Sequence, residues 1–254
     1  MPSTQAIPPA LRFWHMPVDG SWHGHALDSH LLLNLWIALA LFALSNILLV
    51  VGVLSRRRTH RPFHKFTLEY IPLIAFAATF FLLGSRASAL WATQRYTGPA
   101  PDALQVEVTG MQFAWYFRYP GADATFGRTS NQLVDPAGGN PVGIDPHDPH
   151  GADDIVRSQL VLPAGRQVDL TLRAVDVIHG FAIPEMRLKQ NAVPGMTQHI
   201  HFTPERPGDY AILCTQICGL GHYRMQAVLR VLPPAQFDQW LQQQEQTQQA
   251  EAQR

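Results

Sequence analysis

Cysteine is scarce in this chain: there are two among 254 residues, and both fall in one short segment. The run C-x-x-C-H occurs nowhere, which excludes a fused c-type haem domain. Charge is scarce too, since Asp, Glu, Lys and Arg make up 15% of the residues, where about a quarter is usual. The 19 basic and 19 acidic side chains cancel. With no strong net charge to draw in a polyanion, nucleic acid is excluded as a partner. Low charge points instead to membrane segments. The N-terminus lacks a basic start followed by an apolar core, so residues 1–29 are expected to form an outer-face leader and not a secretory signal of the usual pattern. Its histidines, His15, His23, His25 and His30, are scattered as solvated or interfacial side chains are.

From Leu31 to Leu54 no charged residue occurs. At about 1.5 Å per residue such a helix exceeds the roughly 30 Å hydrocarbon core, which predicts a transmembrane helix over 30–54. Arg56, Arg57, Arg58, Arg61 and Lys65 follow with no acid before Glu69, so by the positive-inside rule the loop 55–68 faces the cytoplasm. A second apolar stretch over 69–93 reads as the returning helix. Arg86 can snorkel to the far interface there, and Trp91 can anchor it. Both termini, and everything after the second helix, then lie on the periplasmic or equivalent outer side. Glu69 reads as an ordinary interfacial carboxylate.

After a short linker at 97–101 the pattern changes. The stretches 104–108, 113–119, 155–162, 167–174, 197–202, 210–213 and 225–232 alternate with period two between turn residues, which predicts an all-β sandwich or barrel over 101–234. Within it, residues 120–154 are crowded with Gly, Pro, Asp and Asn and read as a loop insert. Asp145, His147, Asp148, His150, Asp153 and Asp154 could bind a hard cation, but turn chemistry explains the same residues. His199 and His201 alternate on a strand, as on a solvated sheet face. Residues 235–254 form a glutamine-rich tail, expected to be a short helix over 235–244 followed by disorder.

The chemistry concentrates in Cys214-Thr215-Gln216-Ile217-Cys218-Gly219-Leu220-Gly221-His222-Tyr223-Arg224-Met225, a C-x-x-x-C-x-x-x-H-x-x-M run. Two thiols, an imidazole and a thioether form a soft ligand set that suits copper and not magnesium or calcium. A one-copper electron-transfer site needs a single cysteine. Two cysteines four apart can place both sulfurs between two metal ions, an arrangement that calls for a second histidine. His179, in Val175-Asp176-Val177-Ile178-His179-Gly180-Phe181, is the candidate. On the residues alone, a disulfide and a zinc site stay open, although zinc usually takes no methionine.

With both pieces in view the chain resembles subunit II of the haem-copper oxidases, the cytochrome c oxidase subunit that carries the binuclear copper site CuA. The resemblance covers the two helices and the later domain, and implies a Greek-key cupredoxin β-barrel behind a transmembrane hairpin. Position by position it makes Cys214 and Cys218 the bridging thiolates, His179 and His222 the terminal imidazoles, Met225 a weak ligand and the main-chain carbonyl of Gln216 the other. It implies that cytochrome c or another soluble donor delivers electrons, and that haem in subunit I receives them. Oxygen reduction and proton pumping then belong to subunit I, because this chain lacks a set of intramembrane histidines for haem. Subunit III is a further implied partner.

Three positions depart from the family pattern. Phe113 stands where the family usually has the tryptophan that receives the electron, while Trp115 matches the next aromatic. Gln216 replaces a glutamate and Asn191 an aspartate, which puts in doubt a magnesium site at the subunit I boundary. Other classes remain: a membrane-tethered copper carrier or one-copper shuttle, against which the second cysteine argues, and a copperless quinol-oxidase subunit, against which the full ligand set argues.

Overall fold

The computed structural model describes residues 16–55 and 65–252. His15 and most of the basic loop, residues 56–64, lie outside the described residues. The chain divides into two compact units, one spanning His25–Gly98 and the other joining the segment before it to the chain from Pro99 onward.

The first unit is a pair of helices, α1 (Gly24–Leu54) and α2 (Lys65–Arg95), both long and apolar enough to cross a membrane. Each extends past the apolar stretch that predicts it. No proline or glycine interrupts residues 25–51, so α1 starts six residues before position 30. Its first turns are tied by Ser29 Oγ donating to Ala26 O at 2.9 Å and Asn34 Nδ2 to His30 O at 2.7 Å. The end of α2 is set by Gly98, whose φ of +72° leaves the helical region. Arg86 Nη2 donates to Ser29 Oγ at 3.1 Å, near the end of α2 where the sequence reading places it, and Glu69 is exposed at the other end.

The second unit is a sandwich of two five-stranded sheets. One runs in the order β3-β2-β1-β5-β8, from β3 (Ile155–Arg157), β2 (Ala114–Tyr119), β1 (Leu104–Met111), β5 (Val168–Ala174) and β8 (Gln198–Phe202). The other runs β4-β10-β9-β6-β7, from β4 (Leu160–Pro163), β10 (Gln226–Leu232), β9 (Gly208–Cys214), β6 (His179–Ile183) and β7 (Leu188–Ala192). Val106, Val108, Phe117, Leu170 and Leu172 from the first sheet meet Phe181, Ile183, Ile212, Leu229 and Val231 from the second in one core. This is the all-β architecture expected behind a helix pair. Strand β6 escaped the alternation pattern for a physical reason: all five of its residues are buried, so apolar and polar positions do not alternate.

The insert is packed down, not free. Arg118, 2% exposed, donates to Glu107, to Asp154 Oδ2 at 2.7 Å and to Gly127 O at 2.8 Å. Arg173 donates to Thr109 Oγ1 at 2.9 Å, to Thr129 and to Val142 O at 2.8 Å. The insert's Asp148 and Asp145 accept from nearby main-chain N–H groups and pair with Arg128, the turn chemistry expected of them. Its histidines pair with single acids, His150 with Asp123 and His147 with Asp145. His199 is exposed beside Asp169 on the sheet surface.

Described residues from before the helix pair and from the tail both join this unit. Leader residues 20–22 run alongside residues 203–205, with Trp22 N donating to Thr203 O at 3.0 Å and Glu205 N to Gly20 O at 2.8 Å. The tail is one helix, α3 (Pro234–Ala252), and not a short helix followed by disorder. Phe237 is buried, Trp240 meets Tyr119 edge-on at 5.3 Å, and Arg157 Nε donates to Gln244 Oε1 at 2.6 Å. A few aromatic anchors among the glutamines hold it.

Candidate metal centre

Strands β9 and β10 pair antiparallel, with Leu213 opposite Gln226, so the segment between them is a hairpin loop held at both ends. Cys214 closes β9, and its N–H donates to Met225 O at 3.1 Å. His179 opens β6, which pairs with β9 through Phe181 and Cys214. The loop crosses close to β6: Thr215 N donates to Gly180 O at 2.8 Å, and a Cβ at Gly180 would meet Thr215 Oγ1 at 2.5 Å. A side chain at position 180 would lift the loop off the histidine strand.

The hairpin and β6 thereby bring together the residues that the sequence singles out. The donor atoms of His179, Cys214 and Cys218 all lie within 4.8 Å of one another, and among the described residues this is the only such group of three or more. The two Sγ atoms are 3.9 Å apart and unbonded. Cys218 Sγ lies 3.7 Å from His222 Nδ1 and 3.8 Å from Met225 Sδ, and Cys214 Sγ lies 3.2 Å from Gln216 O. Cys218 and Met225 are buried, and His179 is 0% exposed.

The imidazole of His179 shows what the pocket can take. Its Nε2 bonds Asp176 Oδ1 at 2.8 Å, while Nδ1 is buried with no hydrogen-bond partner. A buried ring nitrogen left bare is costly unless something fills the space. A proton on Nε2, facing the carboxylate, leaves the Nδ1 lone pair free for a metal. Burial, and next the neighbouring Cys214, push the Cys218 thiol up to about 11. A cation bound by the sulfurs would reverse that preference, because coordination deprotonates a thiol. The donor set thus fits a soft metal ion.

Asp176 is the supporting residue that the motif did not reveal. Burial pushes its carboxyl up, but bonds from His179, Gln112 N at 2.7 Å and Val177 N at 2.7 Å outweigh this and hold it below its ordinary value. An acid three residues before a candidate ligand histidine was the available signal. Trp115 is buried, edge-on to His179 at 5.8 Å and to Phe181 at 5.2 Å. Phe113 is 38% exposed and its ring lies over Gly221, where a Cβ would approach to 2.4 Å. Phe113 is therefore the surface aromatic against the loop and Trp115 the buried one. Asn191 faces Gly180 across β6 and β7, and its Oδ1 is buried without a partner.

Comparison with known proteins gives a consistent picture. The family described as "Cytochrome C oxidase subunit II, periplasmic domain" matches residues 104–232. The "Alternative cytochrome c oxidase subunit 2" of Bradyrhizobium diazoefficiens is 33% identical over 240 residues, covering 91% of this chain and 84% of the relative. The "Probable cytochrome c oxidase subunit 2" of Streptomyces coelicolor is 27% identical, over 95% of this chain and 76% of the relative. The crystal structure of the periplasmic domain of subunit II of cytochrome oxidase from Bradyrhizobium japonicum aligns with a TM-score of 0.43 at 24% identity, covering 58% of this chain and 97% of that one. The match spans the strands that carry the cysteine hairpin and the histidine strand, and the first relative extends it over the helix pair: the chain belongs to the cytochrome c oxidase subunit II family, and so to the haem-copper terminal oxidases.

Proposed function

We propose that this chain holds a binuclear copper centre on His179, Cys214, the Gln216 carbonyl, Cys218, His222 and Met225. The observation that carries the reading is the pair of unbonded thiols 3.9 Å apart, with His222 Nδ1 near one sulfur and the His179 imidazole, whose Nδ1 has no partner, close to both. Bound there, copper would supply one-electron chemistry, linking a soluble donor such as cytochrome c to haem in subunit I. The remaining work falls to the chain's own residues. Cys214 and Cys218 give up their protons and present both sulfurs to the same space. Asp176 holds the His179 proton on Nε2. Met225 and Trp115, both buried, keep water from the inner side. Phe113 and Trp115 are the aromatic candidates for receiving electrons, the first at the surface and the second behind His179. The helix pair anchors the domain, with the copper domain and both termini on the outer side and with subunits I and III as neighbours.

A one-copper centre would leave one of two adjacent sulfurs unused, and the pairing of both with separate ligand groups favours two ions. The test is metal stoichiometry on the full chain in detergent. Two coppers per chain are expected, and Cys214→Ser and Cys218→Ser should each abolish the two-copper signal instead of halving it. One copper in a saturated sample, or zinc preferred at equal supply, would sink the reading.

A further inference from the structure

Gln112, in the turn between β1 and β2, touches both segments that carry the proposed ligands. Its main-chain N–H donates to Asp176 Oδ2 at 2.7 Å, and the other oxygen of that carboxylate accepts from His179 Nε2 at 2.8 Å. Its side-chain Nε2 donates to the main-chain carbonyl of Cys218. One residue thus reaches the histidine through a carboxylate and the cysteine loop directly.

The loop is shaped for this contact. Gly219 has φ of +136°, a conformation that side chains rarely adopt, and a Cβ there would lie 2.9 Å from Gln112 Nε2. The peptide unit joining Cys218 to Gly219 can approach the amide this closely only with glycine at the second position. The Cys218 side chain is buried beneath, so the carbonyl is the part of this residue that an outer group can grip. Phe113, the next residue, packs over the same loop at Gly221. The turn therefore closes on the loop with an amide and an aromatic ring side by side.

We propose that Gln112 is a positioning residue for the metal centre, fixing Cys218 against His179 by gripping the Cys218 carbonyl and the Asp176 carboxylate at once. The role rests on the copper reading above, but the clamp is testable apart from it. Gln112 is exposed, so water competes for its bond and the net gain is modest. In the metal-free full chain in detergent, Gln112→Leu should speed hydrogen exchange of the His222 amide, which donates to Gly219 O at 3.1 Å, roughly three- to tenfold. Gln112→Glu keeps the length but loses the donor and should do the same, while Gln112→Lys restores a donor and should bring exchange back towards wild type. At saturating copper the Leu variant should keep the wild-type copper count with a shifted visible band and midpoint potential. Unchanged His222 amide exchange in both the Leu and Glu variants would overturn the clamp. An unshifted band and potential with faster exchange would reduce Gln112 to a loop contact and overturn the positioning role. Because exchange is read without metal, it decides the clamp even if the wild-type chain takes up no copper, an outcome that would sink the copper reading alone.

Discussion

Replacing Asp176 by alanine removes one acceptor from three donors: His179 Nε2, Gln112 N and Val177 N, at 2.8, 2.7 and 2.7 Å. The three losses are unequal. The two amide bonds lie in exposed surroundings, where water can take over, but His179 is 0% exposed and its Nε2 would be left bare. A buried donor without a partner costs about 1–3 kcal/mol. The imidazole also loses its reason to keep the proton on Nε2, so a proton on Nδ1 competes with metal for the lone pair. Loss of a carboxylate behind a ligating histidine typically weakens metal binding about 10–100-fold, or about 1.4–2.8 kcal/mol. The two routes agree in size. In competition with a calibrated copper chelator, full chain carrying Asp176→Ala should bind about 10–100-fold more weakly than wild type. Asp176→Asn should fall between, because its amide oxygen still accepts but carries no charge. Equal affinity for wild type and the Ala variant would refute the assignment of Asp176 as the group that sets the histidine tautomer, and an Asn variant as weak as Ala would show that charge alone matters.

Three further outcomes are expected. Arg118→Leu leaves Asp154 buried without its counter-ion and should lower stability by about 3–5 kcal/mol in chemical denaturation. Burial has already pushed that carboxyl up to about 6, and without Arg118 it rises further, so the acid form is favoured on folding and the deficit should shrink from pH 8 to pH 5; a constant deficit would contradict this. A topology reporter fused after Leu232 should be active only on the outer side, and activity confined to the cytoplasm would overturn the orientation drawn from the basic loop. Stopped-flow reduction of the copper-loaded chain by a strongly basic soluble cytochrome c should be slow and weakly dependent on salt, with Phe113→Trp changing the rate more than Gln216→Glu; fast reduction that falls steeply with salt would show an acidic docking surface instead.

The helices and most strands were legible because their signals are local. An uncharged run needs no partner to declare itself, and half-buried strands alternate. Strand β6 could not be read that way, since both its faces are covered. The tail misled for the opposite reason: among many glutamines, Phe237 and Trp240 decide whether α3 docks, and their partner Tyr119 lies more than a hundred residues earlier. At the site, the hairpin ligands stand in one motif, and the two-cysteine set calls for a second histidine elsewhere, which led to His179. The supporting contacts could not. Asp176 and Gln112 are common residue types whose roles depend on the register that sets three loops side by side, information that appears only when the sheets are assembled.

That assembly bears on how electrons could arrive. The candidate ligands sit on strand ends or on a loop pinned at both ends, so the inner side of the centre is fixed by β6, β9 and β10. The outer side differs. Ile217, Leu220 and Tyr223, 81%, 98% and 74% exposed, intervene between the ligands of the same loop. Arg224 stacks on Tyr223 at 5.2 Å, and the loop from 214 to 225 contains no acid. Asp176, the acid nearest the ligands in the β5–β6 connection, is engaged by three donors. A donor approaching this loop therefore meets apolar side chains and a cation, and removal of apolar surface from water, not attraction of opposite charge, would hold it there. Such contact keeps its strength as salt rises, and this is the physical ground for expecting a weakly salt-dependent rate.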